Sequence, residues 1–322
     1  MTAGLGTRLR PFTEVVPKPL LPVMGISVAQ YAVDLLSDTG VTDVVANIHH
    51  LPEKATSGLK ALDWGGAKLH ISDETSQILG SGGGLKKAQP LLSPDQKSPF
   101  YVLNADVLCD IDLLALRYRH EQLKRQWGVK LTLALNPVSP PGEKYREILV
   151  KDGLITGLGE IRERCPFYIG AAVLEPGALA SLPPTGPSEF VTQMLLPAIQ
   201  SGMAGAYLNS GEWFDVGSPK SWLNTHLSLI EMLELGKISQ KWRRRIESVN
   251  SRVQPRVWLN KKTSRRSYVE NWVGPAYASP TSRWSPPQNL GPRSVLYGEG
   301  PQEMKQFSDG IAYDGQWVSV QR

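Results

Sequence analysis

The chain has 322 residues, 41% of them hydrophobic and 20% charged, with a formal net charge of +5. That length and balance fit one large folded domain plus a smaller one, and exclude a disordered or low-complexity chain. No stretch of about 18 apolar residues occurs, so no membrane-spanning helix is expected; the positive excess suits a small anionic ligand and is too modest to require nucleic acid.

The chain opens on a small-residue turn, Gly4-Leu5-Gly6-Thr7-Arg8-Leu9-Arg10-Pro11, followed by Pro17-Lys18-Pro19. Gly4 and Gly6 permit tight bending and close backbone approach. Inward-pointing amides of such a turn form an anion site. Thr7 adds a hydroxyl, Arg8 and Arg10 add guanidinium groups suited to two-point phosphate contact, and Lys18 adds a compact charge held between prolines. The pattern predicts a polyphosphate ligand; a basic surface turn is the competing reading.

Downstream, Ser27 to Thr39 reads as an amphipathic helix stopped by Gly40, and Asp43 to Ile48 as a buried strand. A helix over Pro52 to Leu62 and a strand over Lys68 to Ser72 follow. Leu79-Gly-Ser-Gly-Gly-Gly84 is a second glycine-rich loop ahead of a helix at Leu85. Strands over Pro99 to Asn104, Val129 to Leu135 and Phe167 to Leu174 alternate with helices over Leu113 to Trp127, Glu189 to Gln200 and Lys220 to Leu235. Such alternation predicts an α/β domain with a doubly wound, mostly parallel sheet. Ligands of these sheets bind beyond the carboxyl ends of strands, at a switch point in strand order.

Asp106 follows the Pro99 to Asn104 strand and is expected in that crevice, with Asn104, two residues earlier, on the same side. Asp215, in Trp213-Phe-Asp-Val-Gly-Ser-Pro219, is the second acid of interest. Mg²⁺ favours one or two carboxylates completed by substrate phosphates and water. The competing roles are structural: Asp106 capping the next turn, Asp215 capping the helix near Ser218. His49 and His50 lack a third ligand at useful spacing and read as structural. Cys109 and Cys165 show no disulfide or metal spacing, no signal peptide is visible, and both point to a cytoplasmic protein with reduced thiols.

Composition shifts near Gly236. Residues 236–255, with the basic run Lys241-Trp-Arg-Arg-Arg245, read as a linker between a domain at 1–235 and a β-rich region at 256–322. Three pieces of that region resemble one another: Trp272-Val-Gly-Pro-Ala-Tyr277, Leu290-Gly-Pro-Arg-Ser-Val-Leu296 and Gly310-Ile-Ala-Tyr-Asp314. Such repetition suggests short solenoid coils, against an irregular appendage.

The opening turn with Pro17-Lys18-Pro19, together with Leu103-Asn-Ala-Asp-Val107 and Trp213-Phe-Asp-Val-Gly217, resembles the signature of the sugar-1-phosphate nucleotidyltransferases, the nucleotide-diphosphosugar pyrophosphorylases. The likeness covers roughly the first 235 residues, nearest the mannose-1-phosphate guanylyltransferase and N-acetylmuramate-1-phosphate uridylyltransferase branches. It implies the nucleotide-diphosphosugar transferase fold, and a C-terminal part similar to a short, degenerate left-handed β-helix. It implies attack of a sugar 1-phosphate oxygen on the α-phosphorus of a nucleoside triphosphate, with pyrophosphate leaving. By that resemblance Arg8, Lys18 and Asp106 are catalytic. Gly4, Gly6, Thr7, Arg8 and Lys18 hold the triphosphate, and Gly82 and Gly83 hold the base and ribose. Asn104 and Gly170 contact the sugar, and Asp106 with Asp215 holds Mg²⁺; Glu160, outside the family motif, is a candidate for sugar hydroxyls, with a merely solvated side chain as the competing reading. The expected partners are GTP or UTP and a sugar 1-phosphate, with no membrane and no nucleic acid; a homo-oligomer is compatible with the sequence. The alternative is a catalytically weak regulatory homologue that binds nucleotide sugars. A nucleic-acid module on the basic tail ranks below it.

Two departures from the family pattern stand out. A buried apolar strand normally precedes the glycine turn, and here only Met1, Thr2 and Ala3 do. Losing four or five buried side chains at roughly 1.5–3 kcal/mol each would offset a typical domain stability. The expectation is therefore that Met1 is an internal methionine of a slightly longer natural chain; a true fragment with impaired folding is the competing reading. Second, many relatives have a Glu-Lys-Pro motif whose lysine reaches the sugar phosphate, and Gly159-Glu160-Ile161-Arg162-Glu163-Arg164 stands there instead; either Arg162 supplies the charge or the site follows the subgroup that lacks the lysine.

Overall fold

A computed structural model describes residues 1–262, 272–279, 289–298 and 306–320. The rest of the expected 256–322 region lies outside the described residues. In chain order, the hairpin β1 (Pro22–Val23) and β2 (Ile26–Ser27) leads into helix α1 (Val28–Asp34). There follow β3 (Asp43–Ile48), α2 (Pro52–Lys60), β4 (Lys68–Asp73), α3 (Gly80–Leu92), β5 (Phe100–Leu103), β6 (Val107–Cys109) and α4 (Leu113–Trp127). Next come β7 (Leu131–Asn136), the hairpin β8 (Tyr145–Lys151) and β9 (Leu154–Arg162), and β10 (Phe167–Leu174). A π-helical turn, Val191–Leu195, continues as α5 (Leu196–Gln200), then β11 (Ala204–Leu208), β12 (Trp213–Asp215), α6 (Pro219–Glu234) and α7 (Gln240–Val249). The remaining strands are β13 (Asn250–Gln254), β14 (Val257–Asn260), β15 (Ala276–Ser279), β16 (Asn289–Leu290), β17 (Ser294–Tyr297), β18 (Gln306–Phe307), β19 (Gly310–Tyr313) and β20 (Gln316–Ser319).

Contacts divide the chain into two units, Met1–Leu5 with Ala32–Trp213, and Gly6–Tyr31 with Phe214–Arg322. The cut differs from the expected 1–235 and 256–322 because the opening turn packs with the later helices of its own unit. There Phe12 meets Trp222 edge-on at 5.2 Å, and Tyr31 meets Trp242 at 6.1 Å.

The first unit is α/β. Its six-stranded sheet runs β5-β10-β7-β11-β9-β8, and β3 pairs in parallel with β4. β7 and β11 are parallel, whereas β10 runs antiparallel to both β5 and β7 and the β8–β9 hairpin is antiparallel. The sheet is thus mixed: the hairpin, unforeseen in the sequence, returns the chain so that β10 enters between β5 and β7 in the opposite sense. Both faces are covered. Ala172 and Leu174 of β10 join Leu131, Leu133 and Leu135 of β7 in one core, while Ala171 and Val173 join Ala134 and Leu116 of α4 in the other. This is the period-2 alternation of a strand buried on both sides. At its start, Thr2 N–H donates to Asn47 Oδ1 (2.7 Å) and Ala105 N–H donates to Met1 O (3.1 Å), so these residues lie between the ends of β3 and β5.

In the second unit, β13-β14-β15-β17-β19-β20 form one sheet whose middle strands are parallel and in register. The three similar sequence pieces overlap β15, β17 and β19, and β16 pairs in parallel with β18. The expected linker 236–255 is folded instead. It contains α7 and β13, and buries Trp242 and Ile246 of the basic run's own helix. Tryptophan and isoleucine four apart give that helix an apolar face, which the surrounding arginines concealed in the sequence. No helix among the described residues is long and apolar enough to cross a membrane.

Candidate active site

In the second unit, Gly6 adopts φ +62° and starts the 3-10 turn Thr7–Leu9. A Cβ on Gly6 would meet Thr13 Cγ2 at 2.8 Å and Lys18 Cβ at 3.2 Å, so both backbone angle and space require glycine. Gly6 O accepts from Leu9 N–H (2.9 Å) and Thr13 Oγ1 (2.8 Å), which closes the turn. Leu9 and Phe12, both fully buried, pin it, while Thr7, Arg8 and Arg10 stay exposed. Lys18 opens the rigid turn Lys18–Leu20 and is only 8% exposed.

Asp215 ends β12, and Gly217 follows two residues later. A Cβ on Gly217 would meet Asp215 Oδ1 at 2.8 Å and Arg8 Nη2 at 2.9 Å, and would strike Asp215 Oδ2 as well. The carboxylate and the guanidinium, from distant parts of the sequence, therefore converge on one point. The structural role open to Asp215 is taken by another residue. Ser218 caps α6 by accepting from Ser221 N–H, and the Ser221 hydroxyl accepts in turn from Ser218 N–H.

In the first unit, Asn104 and Gly170 are brought together. Asn104 N–H donates to Gly170 O at 2.7 Å, and a Cβ on Gly170 (φ +87°) would meet Asn104 Cβ at 3.0 Å. Asp106 lies two residues beyond Asn104, between β5 and β6. Asn104 also lines a cavity of about 310 Å³ whose walls are mostly apolar, among them Leu85, Tyr145, Tyr168 and Phe190. Arg146 lines it too; Arg162 is instead ion-paired with Glu147. Arg146, whose Nη1 donates to Gly159 O (2.9 Å), is not marked by any local sequence pattern, because the β8–β9 hairpin that carries it has none. Glu160 is exposed on β9.

The second glycine run is not a loop. Helix α3 begins at Gly80, so Gly82 and Gly83 lie in its first turn, and both amides donate to Ser188 O (2.8 and 3.1 Å). Their small size is used in packing. A Cβ on Gly82 would meet Ser188 Oγ at 2.7 Å, and one on Gly83 would meet Gly186 O at 2.7 Å. The buried carboxylate of Glu74 accepts from Asn47 Nδ2 (2.8 Å) and Leu79 N–H (3.2 Å), fixing the entry to α3; nothing in its sequence context marked it. His49 bonds Glu74 O through Nδ1 (2.7 Å), the structural role expected of it. Among the described residues, no three His, Cys, Asp or Glu side chains gather as a ready-made metal cage. Cys109 and Cys165 are buried free thiols, and burial pushes Cys109 up to about 12.

Residues 1–160 match the family model described as Nucleotidyl transferase. The mannose-1-phosphate guanyltransferase of Emericella nidulans is 32% identical over 233 residues, which is 69% of this chain and 61% of that protein. Its Aspergillus oryzae namesake is 32% identical over 234 residues, covering 70% and 61%. The chain thus spans about 61% of the length of these curated relatives. Among solved structures, HddC from Yersinia pseudotuberculosis complexed with GMP-PN matches with TM-score 0.58 at 19% identity, over 71% of this chain and 96% of that one. Apo UDP-glucose pyrophosphorylase matches with TM-score 0.55 at 18% identity, over 72% and 97%. At such identities the structural likeness establishes the fold.

Proposed function

Because this chain belongs to the nucleotidyl transferase family through residues 1–160, we propose that it transfers a nucleoside monophosphate from a nucleoside triphosphate to a sugar 1-phosphate. The observation that carries this reading is the meeting of Arg8 and Asp215 at Gly217, on the unit that also holds the Gly6 turn and the buried Lys18.

The nucleophile is already an anion, so no base is needed to generate it. The barrier lies in bringing two anions together and in the charge that develops on the transferring phosphoryl group. The Gly4–Thr7 backbone and Thr7 hydroxyl receive the triphosphate; Arg8 and Lys18 neutralise the developing charge. Lys18 suits this task because its stem is buried and its turn is rigid, so little reorganisation accompanies reaction. Asp215, on the same unit as Arg8, is assigned to Mg²⁺ as a carboxylate, and Asp106, on the first unit, carries the same assignment from its sequence motif. An Mg²⁺ ion takes one or two such carboxylates, completed by substrate oxygens and water. When bound, that ion supplies charge neutralisation at the phosphates.

The sugar is assigned to the cavity beside Asn104, with Gly170 giving the backbone room to approach and Arg146 as the nearest cation; Glu160 is assigned to a sugar hydroxyl. Since the Gly82 and Gly83 amides are engaged by Ser188, base and ribose rest on the surface of this first turn rather than on those two donors. The names of the relatives make GTP with mannose 1-phosphate the first pair to try and UTP the second nucleotide. Buried thiols support a cytoplasmic setting. The test is pyrophosphate release across nucleotides and hexose 1-phosphates. Release with one pair supports the assignment, and a folded protein inert with all pairs defeats it.

A further inference from the structure

The β1–β2 hairpin begins two residues after the turn that carries Lys18, and four successive residues at its tip are each held by a side chain. Pro22 O accepts from Trp222 Nε1 (2.8 Å), and Val23 O accepts from Tyr31 Oη (3.1 Å). Met24 O accepts from Asn250 Nδ2 (2.7 Å), and Gly25 N–H donates to Tyr297 Oη (3.1 Å). The tip needs holding, because Met24 at φ +49° and Gly25 at φ +74° both occupy the left-handed region, unfavourable for methionine. The C-terminal sheet comes close enough that a Cβ on Gly25 would meet Tyr277 Oη at 2.5 Å and Asn260 Nδ2 at 3.0 Å.

The Tyr297 hydroxyl is itself oriented. His226 Nδ1 lies 2.9 Å from Trp222 O, which can only accept, so Nδ1 carries the proton. Nε2 is then the acceptor, and Tyr297 O–H donates to it at 2.6 Å. That leaves the Tyr297 oxygen to accept from Gly25 N–H, in a buried chain running from Trp222 O through His226 and Tyr297 to Gly25. Each bond in such a chain polarises the next. Burial holds His226 down at about 4, so the ring stays neutral and the chain intact at neutral pH. Segment 18–25 has little slack between the lysine and this anchor. Leu21 N–H bonds back to Lys18 O (3.1 Å), Val28 N–H bonds Leu21 O (3.0 Å), and Leu21, Val23 and Met24 are fully buried.

We propose that the C-terminal β-sheet positions the phosphate turn, with Tyr297, oriented by His226, acting as a positioning residue that fixes Lys18 through the β1–β2 hairpin. This rests on the reading of Lys18 as a triphosphate ligand. It makes the sheet part of the nucleotide-binding machinery rather than an appendage.

The test titrates the full-length chain with Mg²⁺ and inorganic tripolyphosphate, a probe indifferent to base and sugar. Tyr297→Phe removes one hydroxyl, and Asn250→Ala, a second route to the same hairpin, removes the donor to Met24 O. Phe307→Leu is the control; from the separate β16–β18 pair it thins the core against which the six-stranded sheet packs, without a hydrogen bond to the hairpin. Expected are a native affinity that Lys18→Ala abolishes, a loss of about 5- to 10-fold in Tyr297→Phe and Asn250→Ala, and a change within about twofold in Phe307→Leu, even where its melting temperature falls as far. If Lys18→Ala binds like the native chain, or the native chain does not bind, the phosphate-turn reading fails and this inference with it. If Lys18→Ala loses binding while Tyr297→Phe keeps it, or Phe307→Leu loses as much, only the positioning role is overturned.

Discussion

Gly217→Ala probes the shared corner of Arg8 and Asp215 with a single methyl group. The three atoms nearest the new carbon are all side-chain ends, with Asp215 Oδ1 at 2.8 Å and Arg8 Nη2 at 2.9 Å. Ordinary contact distances are about 3.5 Å, so each group must retreat by roughly 0.5–1 Å. No backbone atom is among those nearest three, so the fold can absorb the change. The crowding is offset by the smaller entropy of an alanine-containing unfolded chain, worth about 0.4–1 kcal/mol, and net stability stays within about 1 kcal/mol of native. Catalysis cannot absorb it, because a displacement near 1 Å costs about 10²-fold in rate. Gly211→Ala is the contrast: there the added carbon collides with the Asp110 carbonyl, and loss of fold is expected. Pyrophosphate release at saturating substrates and a thermal melt on the same preparation separate the two cases. A Gly217→Ala enzyme turning over within about threefold of native, with an unchanged melt, would refute the assignment of this corner to phosphoryl transfer.

Two further outcomes follow from the same geometry. Asp106→Ala should fold with a native melt and lose about 10³-fold or more in turnover; full activity would discard Asp106 as a metal carboxylate. Stability should fall as pH drops from 6.5 toward 4, because buried His226 stays neutral in the folded chain while the unfolded chain takes up a proton. The folded value near 4 against 6.5 corresponds to about 3 kcal/mol across that interval, present above 6.5 and lost on descending. His120, also lowered by burial, adds in the same sense. Denaturant melts at pH 7 and pH 4.5 read the effect, and equal midpoints would contradict it.

Long periodic elements were legible in the sequence. The helix Leu113–Trp127 and the strand Phe167–Leu174 have the bounds that their sequences predict, since apolar spacing and strong stops mark both. The Gly6 turn, with its proline-bracketed lysine, announced itself through residue types that have few other uses together. What escaped was whatever depends on distant partners. The β8–β9 hairpin mixes exposed charges with few buried residues, so neither period stands out, and Arg146 was overlooked with it. The glycines of α3 looked like a loop because their partners, Ser188 and Gly186, lie a hundred residues on. The basic α7 looked like a linker because two buried residues in ten leave a faint apolar stripe. The union of the opening turn with the C-terminal sheet rests on Tyr297 and Asn250, whose roles no local pattern records.

The most direct measurement incubates the chain with Mg²⁺, GTP or UTP, and mannose 1-phosphate or another hexose 1-phosphate, and quantifies pyrophosphate and nucleotide sugar together. Equal amounts of the two products, both absent when Lys18 is replaced by alanine, are the predicted result. Pyrophosphate without nucleotide sugar, or no product from any pair with a folded protein, would contradict the account.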